Sequence, residues 1–398
     1  MSRFRLYPSP RQEQMLREHC RHARYVWNLA LEQWLTWTKG RRSTPSYFAQ
    51  DRQLTEARAE FSWLRAGSRI VQQQALRDFD QAVQSFYRGT HRRPTWRTAG
   101  VHEGFRIVAH QASRLISKNR RWAVVQVPKI GWIRLRVSRP VPASRSYRIV
   151  QDRAGRWYIA FAAIPPEIPA PGNGGVIGVD LGVVVSATLS TGEQLSCPGL
   201  SATEEVRLKH LQRRLSRSCP GSRRRRRVKA AIAKMFARAT DRRKDWVEKT
   251  STDLARRFDI IRVEDLRIKQ LVRKPKAKLD PARPGRYLPN RRDAKAALNR
   301  GILAGGWGAL IVRLEDKAPG RLEKVSPAFT SQTCSVCGHC APENRESQAL
   351  FRCVACGHRA NADVNAAVNI AAGRAVRARR ETPAVVSSKR EPQRTTSA

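Results

Sequence analysis

The residues of this chain best suited to chemistry are four cysteines arranged as two Cys-x-x-Cys pairs. Cys334 and Cys337 form the first pair, Cys353 and Cys356 form the second, and residues 338–352 separate them. Four thiolates at this spacing are typical of a tetrahedral Zn²⁺ site, and the glycine after each pair allows a tight turn that brings backbone N–H groups to the sulfurs. The spacing therefore predicts a structural zinc site.

Three further side chains lie close to these pairs. Cys340 extends the first pair to Cys-x-x-Cys-x-x-Cys, which leaves a ligand exchange open. We expect the symmetric set of four cysteines to be the ligands. His339 and His358 are interpreted as surface or phosphate-facing residues.

Three acidic residues stand at the ends of predicted elements. Asp180 ends the apolar run VIGVD, Glu264 ends DIIRVE, and Asp363 begins the Ala-rich run NADVNAAVNIAAGRA. Singly they have structural explanations, since Asp180 could lie at a turn and Asp363 could cap a helix. Together, three carboxylates can hold two Mg²⁺ ions about 4 Å apart, one activating water and one stabilising the leaving oxygen of a phosphodiester. In a basic chain we interpret such a cluster as a metal site facing phosphate.

The composition indicates a polyanionic partner. The 398 residues include 77 Lys and Arg against 32 Asp and Glu, a formal net charge of +45, and 41% of them are hydrophobic, enough for a sizeable core. So large an excess repels itself unless a polyanion neutralises it, and nucleic acid is the natural partner. A GC-rich genome explains some of the preference for arginine, but not the net imbalance.

The expected location is the cytoplasm. No apolar run is long enough to cross a membrane, and the start MSRFRLYPSP lacks the apolar core of a signal peptide. Five of the eight cysteines crowd between residues 334 and 356, which favours metal binding over a disulfide framework. We therefore expect no membrane partner.

The N-terminal part of the chain changes its periodicity once. A short strand precedes a helix over residues 8–35, and a second helix is predicted over 69–89, with an apolar stripe on one face. Residues 104–163 then contain short β-rich runs separated by turns, typical of a small antiparallel sheet or barrel.

The C-terminal part mixes strands with very basic helices. The sequence predicts a linker over residues 165–175 and two adjacent strands over 176–195. A helical hairpin broken at Pro220-Gly221 is predicted over 207–258, followed by a strand over 259–266 and a Lys/Arg/Pro-rich loop over 267–300. The hairpin holds five consecutive arginines that suit a phosphate backbone: Arg223, Arg224, Arg225, Arg226 and Arg227. The polar, basic tail over 374–398 is expected to be disordered.

The C-terminal half resembles the RuvC-type nuclease domain of TnpB proteins, transposon-encoded RNA-guided nucleases related to type V CRISPR effectors. The matching motifs are GVDLGV around Asp180, VEDL around Glu264, SPAFTSQTCSVCG and FRCVACGHRANADVNAAVNI. RLYPSPRQEQML and PKIGWIRLR extend the resemblance over nearly the whole chain. It implies an α/β multidomain fold: an RNase H-like (RuvC) nuclease domain with an inserted zinc ribbon, and an N-terminal β-barrel wedge with an inserted helical recognition lobe.

The resemblance also implies domain bounds and site residues. The domains are a wedge barrel (1–8 and 101–168), a helical recognition lobe (9–100), a linker (169–175), a nuclease domain (176–330 and 359–375), a zinc ribbon (331–358) and a disordered tail (376–398). Asp180, Glu264 and Asp363 are the implied catalytic acids, and the four cysteines are the implied zinc ligands. Family members often carry an additional Asp where this chain has Asn361, so the register of ADVNAAVNI assigns catalysis to Asp363.

The implied function is cleavage of double-stranded DNA, beside a short flanking motif, under the direction of a structured guide RNA. For reading that motif we weigh Arg69 and Gln73, with Arg77 on the same helix face, because arginine pairs well with guanine and glutamine with adenine. A solvated helix face explains these residues at least as well. The run Arg223 to Arg227 is expected on the backbone of RNA or of the RNA–DNA heteroduplex.

Two alternatives stay open. One is a compact type V CRISPR effector, and the other is a non-cleaving RNA-guided DNA-binding regulator with vestigial acids. Because all three acids are present, we expect an active nuclease. The expected setting is a prokaryotic cytoplasm, in association with the nucleoid, and either a monomer or a dimer on the RNA fits the sequence.

Overall fold

The structure of the chain is a computed structural model. The structure describes residues 2–36, 45–108, 115–142, 144, 146–162, 164, 166–283 and 285–373. The tail expected to be disordered lies outside these residues. None of the helices in the described ranges is long and apolar enough to cross a membrane.

The chain divides into two compact units. The first consists of Met1–Pro166 and Pro198–Lys244, and the second of Glu167–Cys197 and Asp245–Ala398. The first boundary between the units, after Pro166, lies at the start of the predicted linker. Residues 198–244 group with the first unit, whereas the domain scheme drawn from the resemblance includes them in the nuclease domain.

An antiparallel sheet of seven strands forms the centre of the first unit. The strands are Ser2–Tyr7 (β1), Gly104–Val108 (β2), Leu115–Asn119 (β3), Trp122–Val127 (β4), Gly131–Arg136 (β5), Ser146–Gln151 (β6) and Trp157–Phe161 (β7). Their order is β2-β6-β7-β1-β5-β4-β3. The antiparallel sheet predicted over residues 104–163 is confirmed. The additional strand β3 escaped prediction because LISKN has only a short apolar part.

Four further helices in the described ranges belong to the first unit. They span Pro10–Leu35 (α1), Tyr47–Glu60 (α2), Ser62–Ala66 (α3) and Arg69–Tyr87 (α4). Helices α1 and α4 pack on β2, and α2 packs on α3 and α4. A capping box fixes the start of α1, where Ser9 and Gln12 each bond the other's backbone N–H. Leu16 and Trp27 of α1 and Phe79 of α4 join the sheet residues in one core. Both predicted helices are confirmed close to their expected bounds.

A basic helical hairpin completes the first unit. Its helices span Ala202–Ser216 (α5) and Arg223–Arg257 (α6), and the residues of α6 from Asp245 onward belong to the second unit. Leu211 packs against Val228 and Met235 across the hairpin. The break predicted at Pro220-Gly221 is confirmed, and Gly221 turns the chain at φ 78°, where other residues are strained.

The second unit contains a mixed five-stranded sheet. Its strands are Val176–Asp180 (β8), Ala187–Leu189 (β9), Gln194–Leu195 (β10), Ile260–Glu264 (β11) and Leu322–Val325 (β12). Their order is β10-β9-β8-β11-β12; β8, β11 and β12 run parallel, and β9 runs antiparallel to β8. The two adjacent strands predicted over residues 176–195 are confirmed as β8 and β9, with β10 as a further short strand, and the strand predicted over 259–266 is confirmed as β11. Ile177 and Val179 of β8 and Ile261 and Val263 of β11 are buried in the core of this unit.

The prediction of a loop over residues 267–300 is wrong at both ends. A short helix, Ile268–Leu271 (α7), lies at its start, and a longer one, Arg292–Ala304 (α8), takes up its end. The charged start of α8 concealed the helical stretch KAALNRGILA, whose residue Ile302 is buried. A further helix, Trp307–Lys317 (α9), leads to β12.

The cysteine pairs lie next to the last strands and the last helix. A small hairpin of Leu350–Arg352 (β13) and Arg359–Asn361 (β14) leads into Ala362–Ala371 (α10). This helix lies directly on β8 at Gly178. A Cβ atom at Gly178 would stand 2.0 Å from the carbonyl oxygen of Ala367 and 2.4 Å from the backbone nitrogen of Ala371. Only glycine permits this approach of strand and helix.

Substitution of Gly178 tests that packing. We expect Gly178→Ala to push α10 off β8 and to lower the free energy of unfolding by roughly 3 kcal/mol, as overpacking does. Gly308→Ala is the matched control, because its Cβ would meet only Ile268 Cδ1 at an ordinary 3.5 Å. Urea unfolding of both variants measures the difference, and equal stability would contradict the close packing.

Candidate active site and metal centre

Asp180 and Glu264 lie side by side at the carboxyl edge of the parallel strands. Val179 of β8 pairs with Val263 of β11, so these acids are the next residues of two adjacent strands and end both of them. The carboxyl ends of parallel strands are where open α/β sheets bind ligands. Glu264 is 9% exposed and Asp180 is half-buried.

Asp363 comes to the same place from α10. The N-cap of this helix is Asn361, whose Oδ1 accepts bonds from the N–H groups of Asp363 at 3.0 Å and Val364 at 3.2 Å. The capping alternative for Asp363 is therefore wrong, because Asn361 performs that role. The Asp363 carboxylate is thus not used to cap the helix.

Glu264 and Asp363 act electrostatically on Asp180. Burial and the charges of these two acids together raise the pKa of Asp180 to about 7, against the opposing effects of Arg345 and the Leu181 N–H. Burial also raises the pKa of Glu264, while the Thr330 hydroxyl, which donates to Glu264 Oε1 at 2.7 Å, opposes the rise. A buried acid whose pKa is raised by two neighbouring acids is typical of a functional site.

Arg345 is a site residue that the sequence did not indicate. It follows a short 3₁₀ helix, Pro342–Asn344, in the segment between the two cysteine pairs. Its Nη2 lies 3.6 Å from Asp363 Oδ1, and its charge lowers the pKa of Asp180. No local pattern distinguishes this arginine from the many others in the chain.

The four cysteines form one compact group. The sulfurs of Cys334 and Cys356 are 3.7 Å apart, those of Cys337 and Cys353 are 3.5 Å apart, and all four lie within 4.8 Å of one another. Zn–S bonds near 2.3 Å in a tetrahedron require S–S distances of about 3.8 Å. The group therefore has the donor atoms and the spacing that zinc requires, and the predicted ligand set comes together.

Both cysteine pairs use the same turn. Gly338 and Gly357 have φ of 77° and 75°. Their N–H groups bond the carbonyls of Cys334 and Cys353, respectively, while the N–H of each cysteine bonds the carbonyl of the following histidine. His339 is exposed and His358 is half-buried, and neither they nor Cys340 belong to the compact group of ligand atoms.

The acid cluster has a different donor chemistry from the cysteine group. Carboxylate oxygens suit Mg²⁺, which retains several waters in its coordination shell. Across the described ranges, only the cysteines bring three or more ligand atoms within 4.8 Å, so the carboxylates stand further apart than the thiolates.

The predicted base-reading face of α4 is largely engaged within its own unit. Gln73 Nε2 donates to Asp51 Oδ2 at 3.2 Å, and Arg77 Nε donates to the Tyr47 hydroxyl at 3.0 Å. Arg69 is exposed at the start of the helix. Of the three, Arg69 is thus the residue best placed to meet a partner.

The arginine run begins α6 and divides into two kinds of residue. Arg225 Nη1 donates to the carbonyls of Leu215 at 2.7 Å and Ser218 at 3.0 Å, which ties the two helices of the hairpin together. The other four members are exposed: Arg223, Arg224, Arg226 and Arg227. They offer a dense positive surface that suits phosphates.

Three family profiles match successive parts of the chain. "Helix-turn-helix domain" of the OrfB/IS605 group matches residues 2–43, "Probable transposase" of the same group matches 160–274, and "Cas12f1-like, TNB domain" matches 307–370. The last match includes all four cysteines and Asp363.

Two curated relatives match nearly the full length. "Putative RNA-guided DNA endonuclease InsQ" of Escherichia coli (strain K12) is 34% identical, covering 94% of this chain and 92% of the relative. A protein of Streptomyces pristinaespiralis named "Putative RNA-guided DNA endonuclease" is 29% identical, covering 99% of this chain and 96% of the relative.

The fold occurs in a solved structure. In a cryo-EM structure of a Cas12f1–sgRNA–target DNA complex, a chain superposes with a TM-score of 0.51 at 15% identity, covering 91% of this chain and 83% of that one. The protein is thus an α/β protein that shares its fold with Cas12f1 and carries a Cys₄ group. The chain belongs to the TnpB family of transposon-encoded proteins.

The raised pKa of Asp180 predicts how stability depends on pH. The folded protein holds the Asp180 proton up to about pH 7, whereas the unfolded chain loses it near 3.8, so ionisation destabilises the fold as pH rises between these values. In magnesium-free buffer, Asp180→Asn should gain on the order of 2 kcal/mol over wild type between pH 5.5 and pH 8.

Thermal melting at several pH values measures this difference. Mg²⁺ at pH 8 should raise the melting temperature of wild type more than that of Asp180→Asn. Parallel melting curves for the two proteins at all pH values would contradict the buried, acid-coupled environment of Asp180.

Proposed function

We propose that the protein is an RNA-guided DNA endonuclease of a transposon, which cleaves target DNA next to a short flanking motif by Mg²⁺-dependent hydrolysis. The observation that carries the proposal is the convergence of Asp180, Glu264 and Asp363 at the carboxyl edge of the parallel strands in a member of the TnpB family. The names of the two curated relatives support the same activity.

The finer architecture is part of the proposal. The second unit corresponds to an RNase H-like (RuvC) nuclease domain, and the cysteine segment corresponds to an inserted zinc ribbon. The sheet of the first unit corresponds to the wedge barrel, with helices α1 to α4 as the recognition lobe. The likeness to Cas12f1 supports this assignment at the level of fold.

The acids and the cysteines have separate roles. Asp180, Glu264 and Asp363 would hold two Mg²⁺ ions, and the four cysteines would hold one structural Zn²⁺. When bound, Mg²⁺ supplies Lewis-acid activation of the attacking water and neutralises charge on the leaving oxygen. The protein contributes carboxylates fixed on two strands and a helix, so little reorganisation is needed when the phosphodiester arrives.

One charged residue beside the acids, Arg345, completes the site. Arg345, 3.6 Å from Asp363, offers a positive group beside the carboxylates, where a phosphate would otherwise meet only negative charge. A guanidinium can hold a phosphate through two parallel hydrogen bonds. We assign to Arg345 the binding of the phosphate to be cleaved.

Guide RNA and double-stranded target DNA are the proposed partners. Base pairing supplies sequence specificity, and the protein contributes backbone contacts, shape recognition and the reading of the flanking motif. Exposed arginines at the start of α6 suit the RNA or heteroduplex backbone. Arg69 is the favoured residue for the flanking motif, since Gln73 and Arg77 already bond residues of α2. The proposed setting is the cytoplasm and nucleoid of a prokaryote.

Cleavage by acid variants tests the mechanism. With guide RNA, target DNA and Mg²⁺, we expect Asp180→Ala, Glu264→Gln and Asp363→Asn to lower the cleavage rate by about a thousandfold or more, because each removes a metal-holding charge. Asp265→Asn, the control, changes an exposed acid next to Glu264 and should retain near wild-type cleavage.

Target binding separates the nuclease from a regulator. All four variants should bind target DNA with the affinity of wild type, as measured by filter binding. Wild-type protein that binds its target but leaves it intact in Mg²⁺ and Mn²⁺ would favour the non-cleaving regulator.

The RNA that copurifies with the protein separates the transposon from a CRISPR setting. The gene, expressed with its native flanking DNA, should yield one abundant structured RNA whose 3′ end runs into sequence beyond the element. Sequencing of the bound RNA gives the answer. Repeat–spacer transcripts would favour a CRISPR effector, and heterogeneous cellular RNA would contradict guidance.

A further inference from the structure

Two buried asparagines on α10 connect this helix to the segment that precedes the first cysteine pair. Asn365 and Asn369 lie one helical turn apart and are 1% and 2% exposed. A buried amide is costly unless it is hydrogen-bonded, so the partners of these side chains are informative. They are backbone groups outside the helix.

The bonds hold the chain from Thr330 to Ser335 against α10. Asn369 Nδ2 donates to the carbonyls of Thr330 at 2.9 Å and Thr333 at 2.7 Å. Asn365 Nδ2 donates to the Thr333 carbonyl at 2.8 Å, and its Oδ1 accepts from the Ser335 N–H at 3.0 Å. The backbone of Thr330 therefore has a fixed position relative to the helix that carries Asp363.

The side chain of Thr330 contacts Glu264, the acid at the end of β11. Its Oγ1 lies 2.7 Å from Glu264 Oε1 and 3.3 Å from the carbonyl oxygen of Pro327. A hydroxyl has one proton to donate, so the shorter contact with the carboxylate is the stronger bond. Thr330 is 2% exposed and Glu264 is 9% exposed, so water competes little for this bond.

We propose that Thr330 is a positioning residue for Glu264 and that Asn369 holds it in place. The helix α10 then fixes one acid directly, as Asp363, and orients a second through Thr330. This inference rests on the proposed metal-dependent nuclease function. A hydrogen bond to one carboxylate oxygen limits rotation of the group, which preorganises it for a metal.

The comparison uses two threonines of equal burial. Thr330→Val removes the hydroxyl with almost no change of shape, and Thr330→Ser restores it. Thr333→Val is the matched control, because Thr333 is also 2% exposed but its hydroxyl donates to the carbonyl of Phe329, at 2.8 Å. Glu264→Gln shows how much Mn²⁺ binding and cleavage depend on the acid itself.

Mn²⁺ binding to the full-length protein, followed by electron paramagnetic resonance, is the first readout. Loss of a hydrogen-bond partner of a metal-ligating group typically weakens metal binding or activity about 10- to 100-fold, so Thr330→Val should bind Mn²⁺ at least about tenfold more weakly. Thr330→Ser and Thr333→Val should stay near wild type. The half-saturating Mg²⁺ concentration for guided cleavage should follow the same order, with target binding unchanged.

Each outcome decides the inference. Equal Mn²⁺ affinities for Thr330→Val and Thr333→Val would overturn it, as would a Thr330→Ser variant as weak as Thr330→Val. Should Thr330→Val fail to melt cooperatively, Thr330→Ala replaces it against the same Ser variant. If Glu264→Gln keeps full Mn²⁺ binding and cleavage, the proposed nuclease site is wrong. If Glu264→Gln loses both Mn²⁺ binding and cleavage while Thr330→Val keeps both, only the positioning role of Thr330 is wrong.

Discussion

The close contact of α10 with β8 is the constraint on which the acid site depends. At Gly178 the helix backbone occupies the space that a side chain would need, with a carbonyl oxygen 2.0 Å from the Cβ position. Asp180 follows Gly178 by two residues, Glu264 ends the adjacent parallel strand, and Asp363 lies in the first turn of the helix. A displaced α10 would therefore separate Asp363 from the other two acids.

This arrangement has an electrostatic cost that the rest of the fold must offset. Burial and mutual repulsion raise the pKa of Asp180 to about 7, so ionisation of the cluster at neutral pH opposes folding. Arg345 is the cation that approaches Asp363 at 3.6 Å, and its exposed fraction of 32% means that water screens this contact. Bound cations would remove most of the repulsion. A site that is destabilising when empty and stabilised by its ions is expected of a metal-dependent enzyme.

Elements with a strong periodicity could be predicted from the sequence, and so could the acids at their ends. Parallel strands bring their carboxyl ends to one edge, so the positions of Asp180 and Glu264 follow from the pattern once β8 and β11 are neighbours. The cysteine site follows from spacing alone. By contrast, the contacts of Thr330 and Arg345 join residues far apart in sequence, and no local pattern marks them. The start of α8 does not show in the sequence because charged residues obscure its apolar stripe. The bonds of Gln73 and Arg77 depend on α2, whose apolar residues follow no helical stripe.

In the proposed nuclease, three acids on two strands and one helix form a single metal site. An anomalous difference map from crystals of the RNA-bound protein soaked in Mn²⁺ would show directly whether ions bind there. We expect manganese peaks in contact with Asp180, Glu264 and Asp363, and a separate zinc peak among the four cysteines. Ordered carboxylates with no manganese peak between them would rule out a metal site at these acids, whatever the occupancy of the cysteine site.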